Sequence, residues 1–231
     1  MEKNIVFDTG PLISLATNNL LWILKPLKQA FNGKFYITQG TKYELIDHPL
    51  ATKRFKFEAL QVLELIRSRT LEIVDSSALK ASALQILDSA NHAYTSQGRN
   101  IIIVQHAEMQ CLAAVVQYAA SAVVVDERTT RLLLEAPHVL KTILGSKMNV
   151  RIELNHEKLA AFKGLLGRDI AVLRSAELVT IAFELGILDR FLADIPDAKR
   201  TLLESVLWGV KLHGCSIANR EIEQILKLEK V

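Results

Sequence analysis

Ile5-Val6-Phe7-Asp8-Thr9-Gly10-Pro11-Leu12-Ile13-Ser14-Leu15 is the stretch on which the fold turns. Three consecutive apolar residues give the continuous hydrophobicity of a strand buried on both faces, the pattern of parallel sheets. Asp8 closes the run, Thr9-Gly10 supplies a tight turn, and Pro11 suits the first turn of a helix, where its missing amide is not needed. An acid is therefore expected at the carboxyl end of a parallel strand, the edge at which open α/β sheets build their sites. Taken alone, Asp8 reads equally well as the cap of the helix that follows it.

Three further acids are expected at the same edge. Asp126 ends the run Ala122-Val123-Val124-Val125, a second strand with a carboxylate at its tip. Glu44 lies in Ile37-Thr38-Gln39-Gly40-Thr41-Lys42-Tyr43-Glu44-Leu45, a short strand end passing into a helix. Glu108 opens the helix His106-Ala107-Glu108-Met109-Gln110-Cys111-Leu112, which feeds the Asp126 strand. Each has an ordinary alternative: Glu44 as a solvated helix acid, Glu108 as a favourable charge in a first helical turn. Together, four carboxylates without a matching basic cluster repel one another and are costly to bury unpaired. A divalent cation resolves that conflict, and hard oxygen ligands select Mg²⁺ or Mn²⁺, whose usual chemistry is water activation and polarisation of phosphoryl oxygens. Thr9 and Ser14 are supporting candidates that could hydrogen-bond the ligands or a phosphate. Glu127 is a third, expected to point away from Asp126 if the strand continues.

Asp8-Thr9-Gly10-Pro11-Leu12-Ile13, then Tyr43-Glu44-Leu45, then Glu108 with Ala113-Ala114 after it, then Val125-Asp126-Glu127-Arg128, resemble the ordered motifs of PIN-domain ribonucleases, the family that includes the VapC toxins. The likeness spans roughly residues 4 to 152 and rests on the order of the motifs and on the 18-residue step from Glu108 to Asp126. Ser175-Ala176-Glu177 through Leu185-Gly186, then Leu202 to Gly214, resemble the helical tail of a larger prokaryotic subgroup. The chain departs from the pattern in carrying Glu108 where many members have Asp, Gln110 where some relatives have another acid, and far more length than a minimal toxin. The resemblance implies a PIN-like three-layer α/β/α sandwich whose Asp8, Glu44, Glu108 and Asp126 bind Mg²⁺ or Mn²⁺ and hydrolyse phosphodiester bonds in single-stranded RNA. It also implies a possible antitoxin protein or a homodimer as partner. A catalytically weak module of the same fold, binding RNA or a protein without cutting, is the alternative that Gln110 and the long tail keep open. A nucleotide-binding Rossmann protein is disfavoured because no glycine-rich fingerprint follows the first strand.

Composition bounds these readings without choosing among them. The chain has 231 residues, half of them hydrophobic and 23% charged, enough for a sizeable core and unlike a disordered protein. A net charge of +3 is too small to argue for nucleic acid unless the cations cluster. Lys53-Arg54-Phe55-Lys56 and the set Arg128, Arg131 and Lys141 are such clusters; tracking an RNA backbone and lining a solvated helix face are both open to them. Cys111 and Cys215 have neither metal-ligand spacing nor a disulfide framework. The histidines also lack metal spacing. The opening residues read as a strand and not as a secretory leader, and the most apolar stretch, 113–125, is too short for a bilayer. A soluble cytoplasmic protein with no membrane partner is the expectation.

The periodicity predicts strands at 4–7, 34–37, 71–74 and 122–125 and a last strand at 149–153, with helices between them. Residues 39–47 are expected as a helix stopped by His48-Pro49, 52–69 and 79–95 as amphipathic helices, and 101–104 as either strand or buried segment. Alternating strands and helices predict a parallel sheet with right-handed crossovers. The division expected is a nuclease domain at 1–153 and a helical extension at 154–231, with no strand beyond Asn155. Apolar stripes such as Leu173, Ala176, Val179 and Phe183, and again Leu202, Val206 and Val210, require that extension to pack on the core or on another subunit.

Overall fold

The apolar run near the amino terminus is the middle strand of a five-stranded parallel sheet. The computed structural model describes residues 3–231. In chain order the elements are β1 (Lys3–Phe7), α1 (Thr9–Thr17), α2 (Leu24–Phe31), β2 (Gly33–Thr38), α3 (Gln39–Lys42), α4 (His48–Ala51), α5 (Lys56–Arg67), β3 (Glu72–Val74) and α6 (Ser77–Asn91). They continue as β4 (Tyr94–Ser96), β5 (Arg99–Asn100), α7 (His106–Gln117), β6 (Ala122–Val124), α8 (Arg128–Glu135), α9 (Pro137–Met148), β7 (Glu153–Leu154), α10 (His156–Leu166), β8 (Ala171–Leu173), α11 (Ser175–Glu184), α12 (Ala198–Leu212) and α13 (Asn219–Leu228).

The main sheet has the order β3-β2-β1-β6-β8, all neighbours parallel. Its two faces are covered by separate apolar layers, because successive side chains of a strand point to opposite sides. Ile5, Phe7, Phe35, Ile37 and Val124 pack into the layer built from α1, α2, α5, α11, α12 and α13. Val6, Tyr36, Val123 and Val125 pack against α6, α7 and α10 on the other side. The result is the three-layer α/β/α sandwich expected from the alternation of elements. Fully burying each of these large side chains contributes roughly 1.5–3 kcal/mol, so the middle strands fix the fold. No helix among the described residues is long and apolar enough to cross a membrane.

Four expectations about individual elements need correction. The region beyond Asn155 is not purely helical: β8 pairs with β6 in the register Ala122↔Ala171 to Val124↔Leu173 and forms the edge of the sheet. The boundary expected at 153/154 thus falls between two strands of one sheet. The strand expected at 149–153 is the two-residue β7, which pairs antiparallel with β4 in a small second sheet and not with the parallel one. Residues 79–95 do not stay helical to the end: α6 stops at Asn91, and Tyr94–Ser96 turns through Gly98, at φ +72°, into β5. Residues 101–104 form neither strand nor helix and are held by the Asn91 side chain, whose Oδ1 accepts from the amides of Ile103 and Val104 at 2.8 and 3.1 Å.

Pro49 also fails to stop its helix. Tyr43–Asp47 forms a π-helical turn, His48 keeps helical angles at φ −67°, ψ −48°, and Pro49 lies in the first turn of α4. The run is helical without a break from Gln39 to Ala51, and the π-turn just before the proline, where the His48 amide reaches back to the Tyr43 carbonyl, is where the helix departs from its usual bonding.

Candidate functional site

Because all five strands are parallel, β1, β2 and β6 end at one edge, and the helices that leave them begin there. Asp8 follows β1 and is anchored by its own amide, which donates to the Val124 carbonyl at 3.0 Å. It occupies the N-cap position of α1 but makes no side-chain cap hydrogen bond. Only 7% exposed, its carboxylate instead accepts from the Cys111 thiol at 3.7 Å. Burial pushes its pKa up to about 6; the amides of Thr9 and Gly10 oppose the shift, and the charge of Glu44 adds to it. Desolvation thus outweighs the favourable helix N-terminus.

Glu108 comes to the same edge from the first turn of α7. Its Oε2 accepts from the Gln105 amide and from the Thr130 hydroxyl, both at 3.2 Å. The capping role available to it in the sequence is therefore real, and it coexists with a second one. Burial, then a hydrogen bond and repulsion from Glu127, then repulsion from Asp8, push its pKa up to about 8.

Glu44 is exposed on the π-turn between α3 and α4, and the Thr9 hydroxyl donates to its Oε2 at 2.5 Å. That bond ties the third acid to the loop carrying the first. Close packing of α3 on α7 sets the spacing: the Gly40 amide donates to Gln110 Oε1 at 2.9 Å, and a Cβ on Gly40 would lie 2.6 Å from that oxygen and 3.2 Å from Ala107 Cβ. A side chain there would displace the Gln110 amide and crowd α7 at Ala107. Gln110 also contacts His106 Nε2 through its own Nε2 at 3.0 Å, so both ends of this side chain are engaged within the scaffold.

Asp126 behaves differently from the others. It is 3% exposed, and its carboxylate accepts three hydrogen bonds: from the Ser14 hydroxyl at 2.7 Å, the Ser175 amide at 2.7 Å and the Ser175 hydroxyl at 2.8 Å. Its backbone carbonyl accepts from the Ser216 amide at 3.1 Å. β6 ends at Val124, so the two acids that follow diverge: Asp126 joins α1 to α11, and Glu127 joins Glu108. Ser14, expected to support a ligand or a phosphate, is one of the three donors to Asp126. Among the described residues, no group of three or more His, Cys, Asp or Glu side chains is arranged to hold a metal ion. Asp126 is taken up by its two serines, while Glu44 bears on Asp8, and Asp8 and Glu127 both bear on Glu108.

Several contributors were not singled out in the sequence. Ser175 is one, separated from Asp126 by 49 residues. Arg174 is another: it is 7% exposed and binds Glu177 at 2.5 Å, Glu221 at 3.0 Å and the Ser216 carbonyl at 3.0 Å. Thr130 is the third. A serine or threonine at a helix start is too common to signal such a role, but Arg174 immediately after an apolar Ala-Val-Leu run carries the mark of a buried, paired charge. Of the cations expected to meet RNA, Lys53 and Arg54 precede α5 and Lys56 opens it, Arg128 is exposed at the start of α8, and Arg131 is half-buried with its Nε lacking a hydrogen-bond partner. No protein-family model, no curated protein and no solved structure matches this chain.

Proposed function

We propose that the chain is a divalent-metal-dependent endoribonuclease that hydrolyses phosphodiester bonds in single-stranded RNA. One observation carries this reading: Asp8 and Glu108 come to the carboxyl edge of the sheet beside other carboxylates, Glu44 for Asp8 and Glu127 for Glu108, and burial and like charge raise the pKa of both. A folded protein keeps such an arrangement at a cost in stability, and a hard cation offsets it. The donor set fits Mg²⁺ or Mn²⁺ in kind, being all carboxylate oxygen. Asp8 and Glu108 would be the protein's ligands, with Glu44 at the rim and the remaining positions left to water and to the substrate's phosphate oxygens. When bound, such an ion lowers the pKa of an attacking water and stabilises charge on the scissile phosphate. The chain's own residues position the acids: Cys111 holds Asp8, Thr9 holds Glu44, and Gln110 fixes α3 against α7.

Cleavage of tRNA, rRNA and mRNA fragments in Mg²⁺, Mn²⁺ or EDTA tests the proposal. Cutting is expected with the metals alone. Asp8→Asn and Glu108→Gln should each reduce it roughly a hundredfold or more, since a metal ion supplies several kcal/mol of charge stabilisation and about 1.4 kcal/mol is tenfold in rate. Wild-type rates in both variants would sink the reading. The second reading, a binding module that does not cut, draws on the commitment of Asp126 to Ser14 and Ser175, which withdraws one expected ligand. Binding of the same RNAs with no metal-dependent products would favour it.

A further inference from the structure

The segment between the third acid and the body of α5 leaves its aromatic rings in solvent. Tyr43, Phe55 and Phe57 are 57, 43 and 69% exposed. Phe55 holds φ +61°, ψ +22°, a left-handed conformation unfavourable for a bulky residue. It lines a surface cleft with Ile13, Thr17, Glu44, Glu58 and Val62, so the cleft runs directly up to the acid edge. Lys53, Arg54 and Lys56 alternate with the rings, and none has a carboxylate partner among the described residues. The Arg54 guanidinium lies 4.9 Å from the centre of the Phe55 ring.

We propose that Phe55 and Phe57 are a stacking platform for unpaired bases of a single-stranded RNA, with Lys53, Arg54 and Lys56 neutralising its phosphates as the strand passes Glu44. This rests on reading the acid edge as an RNA-cleaving centre. The chemistry selects the occupant. Single-strand sites combine a cationic track with aromatic faces, on which any base can stack. Protein interfaces deplete lysine at their apolar core, whereas here cations stand on both sides of Phe55. Duplex RNA keeps its base faces stacked and unavailable. The Glu58 carboxylate beside the rings repels phosphate, which turns the base rather than the backbone toward the ring faces.

The test uses the full-length protein and a fluorescein-labelled oligoadenylate in EDTA, with binding followed by anisotropy over a range of salt. Tighter binding of the single strand than of its duplex with oligouridylate is expected. Phe57→Leu, whose ring is largely in solvent, and Phe55→Leu should each weaken single-strand binding about 5- to 100-fold. Replacing Lys53, Arg54 and Lys56 together by Ala should lower the salt slope by about 2. Wild-type affinity in both ring variants, equal affinity for duplex, or a ring-dependent change from dimer to monomer with RNA binding unaltered would each overturn the proposal, the last in favour of a protein interface. The two readings fail separately. Ring-dependent binding by a protein that never cuts in Mn²⁺ upholds the platform and removes the nuclease. Metal-dependent cutting by Phe57→Leu at the wild-type KM removes the platform and leaves the nuclease.

Discussion

Two sets of acids stand a few residues apart at one edge of the sheet and do opposite work. Asp126 is met by three donors from α1 and α11. Asp8 and Glu108 face other carboxylates, and burial and repulsion raise the pKa of each. Residue type and position in the fold are nearly the same; the supply of donors differs. A buried carboxylate with its hydrogen bonds complete ties elements together, because removing it strands its partners. One left with like charges weakens the fold and makes sense where an outside cation can complete it. The comparison separates an acid whose hydrogen bonds join elements of the fold from acids raised in pKa by their neighbours, a distinction the four expected ligands did not contain.

The sharpest way to break the comparison is to remove what Asp126 holds. A chain ended at Glu153 loses β8, the Ser175 donors and the helices α11 to α13 that cover the face bearing Phe7, Phe35 and Ile37. Such a chain should be aggregated or unfolded by circular dichroism. A soluble, cooperatively melting 1–153 fragment would show instead that the sheet is complete without its edge strand and that Asp126 joins two independent units. Next in size is Asp126→Ala, which leaves the Ser175 amide and two hydroxyls buried without their acceptor. We expect a loss of about 2–4 kcal/mol in urea unfolding, within the range for breaking a buried network. Asp126→Asn keeps an acceptor for the amide and should lose less. Wild-type stability in both variants would end the structural role of Asp126.

Why the sequence separated the strands well and the acids poorly follows from range. β1, β2 and β6 are legible because their hydrophobicity is local: three or four consecutive apolar residues ending in an acid or a turn. β8 is three residues at the sheet edge, partly exposed and without a period, so only its pairing with β6 makes it a strand. The hairpin at 94–100 was hidden because Ala90, Ala93 and Tyr94 continue the spacing of α6 past its end. The positions of Asp8 and Glu108 were legible because each sits at a predictable element boundary. The anchoring of Asp126 could not be read, since it depends on β6 ending at Val124 and on a serine far along the chain.

The raised pKa values of Asp8 and Glu108 predict a pH dependence. Glu108 has a pKa near 8 in the folded protein against 4.5 for an ordinary glutamate. Between these values the folded state keeps a proton that the unfolded state has lost, so this contribution is complete below about pH 4.5 and disappears as pH rises through 8. Asp8 acts with the same sign over the narrower span from 3.8 to about 6. In EDTA the protein should therefore lose stability from pH 5 to pH 8, and Glu108→Gln should flatten part of that loss. The variant is expected to overtake wild type by about 1 kcal/mol at pH 8, a figure reduced for partial solvent screening. Parallel pH profiles for the two proteins would show that Glu108 titrates as an ordinary acid and that the repulsion has been overestimated.

The smallest expected effect tests whether an acid can be equipped for function with little consequence for the fold. Thr9 donates to Glu44 across the surface, and neither residue is buried. Thr9→Val keeps the shape and branching of the side chain but removes the donor, leaving Glu44 free to rehydrate. An exposed hydrogen bond exchanged for one to water changes stability by no more than about 0.5 kcal/mol. Activity should respond more, because a carboxylate that swings in solvent spends less of its time beside Asp8; a fall of about 3- to 10-fold in kcat/KM with unchanged melting is expected. The conservative Thr9→Ser, which restores a hydroxyl, should recover most of the rate. A Thr9→Val protein with full activity would place Glu44 outside the working set and leave Asp8 and Glu108 as the candidate ligands. One that unfolds would move Thr9 to the same side of the comparison as Ser14 and Ser175, among the groups whose hydrogen bonds build the edge of the sheet.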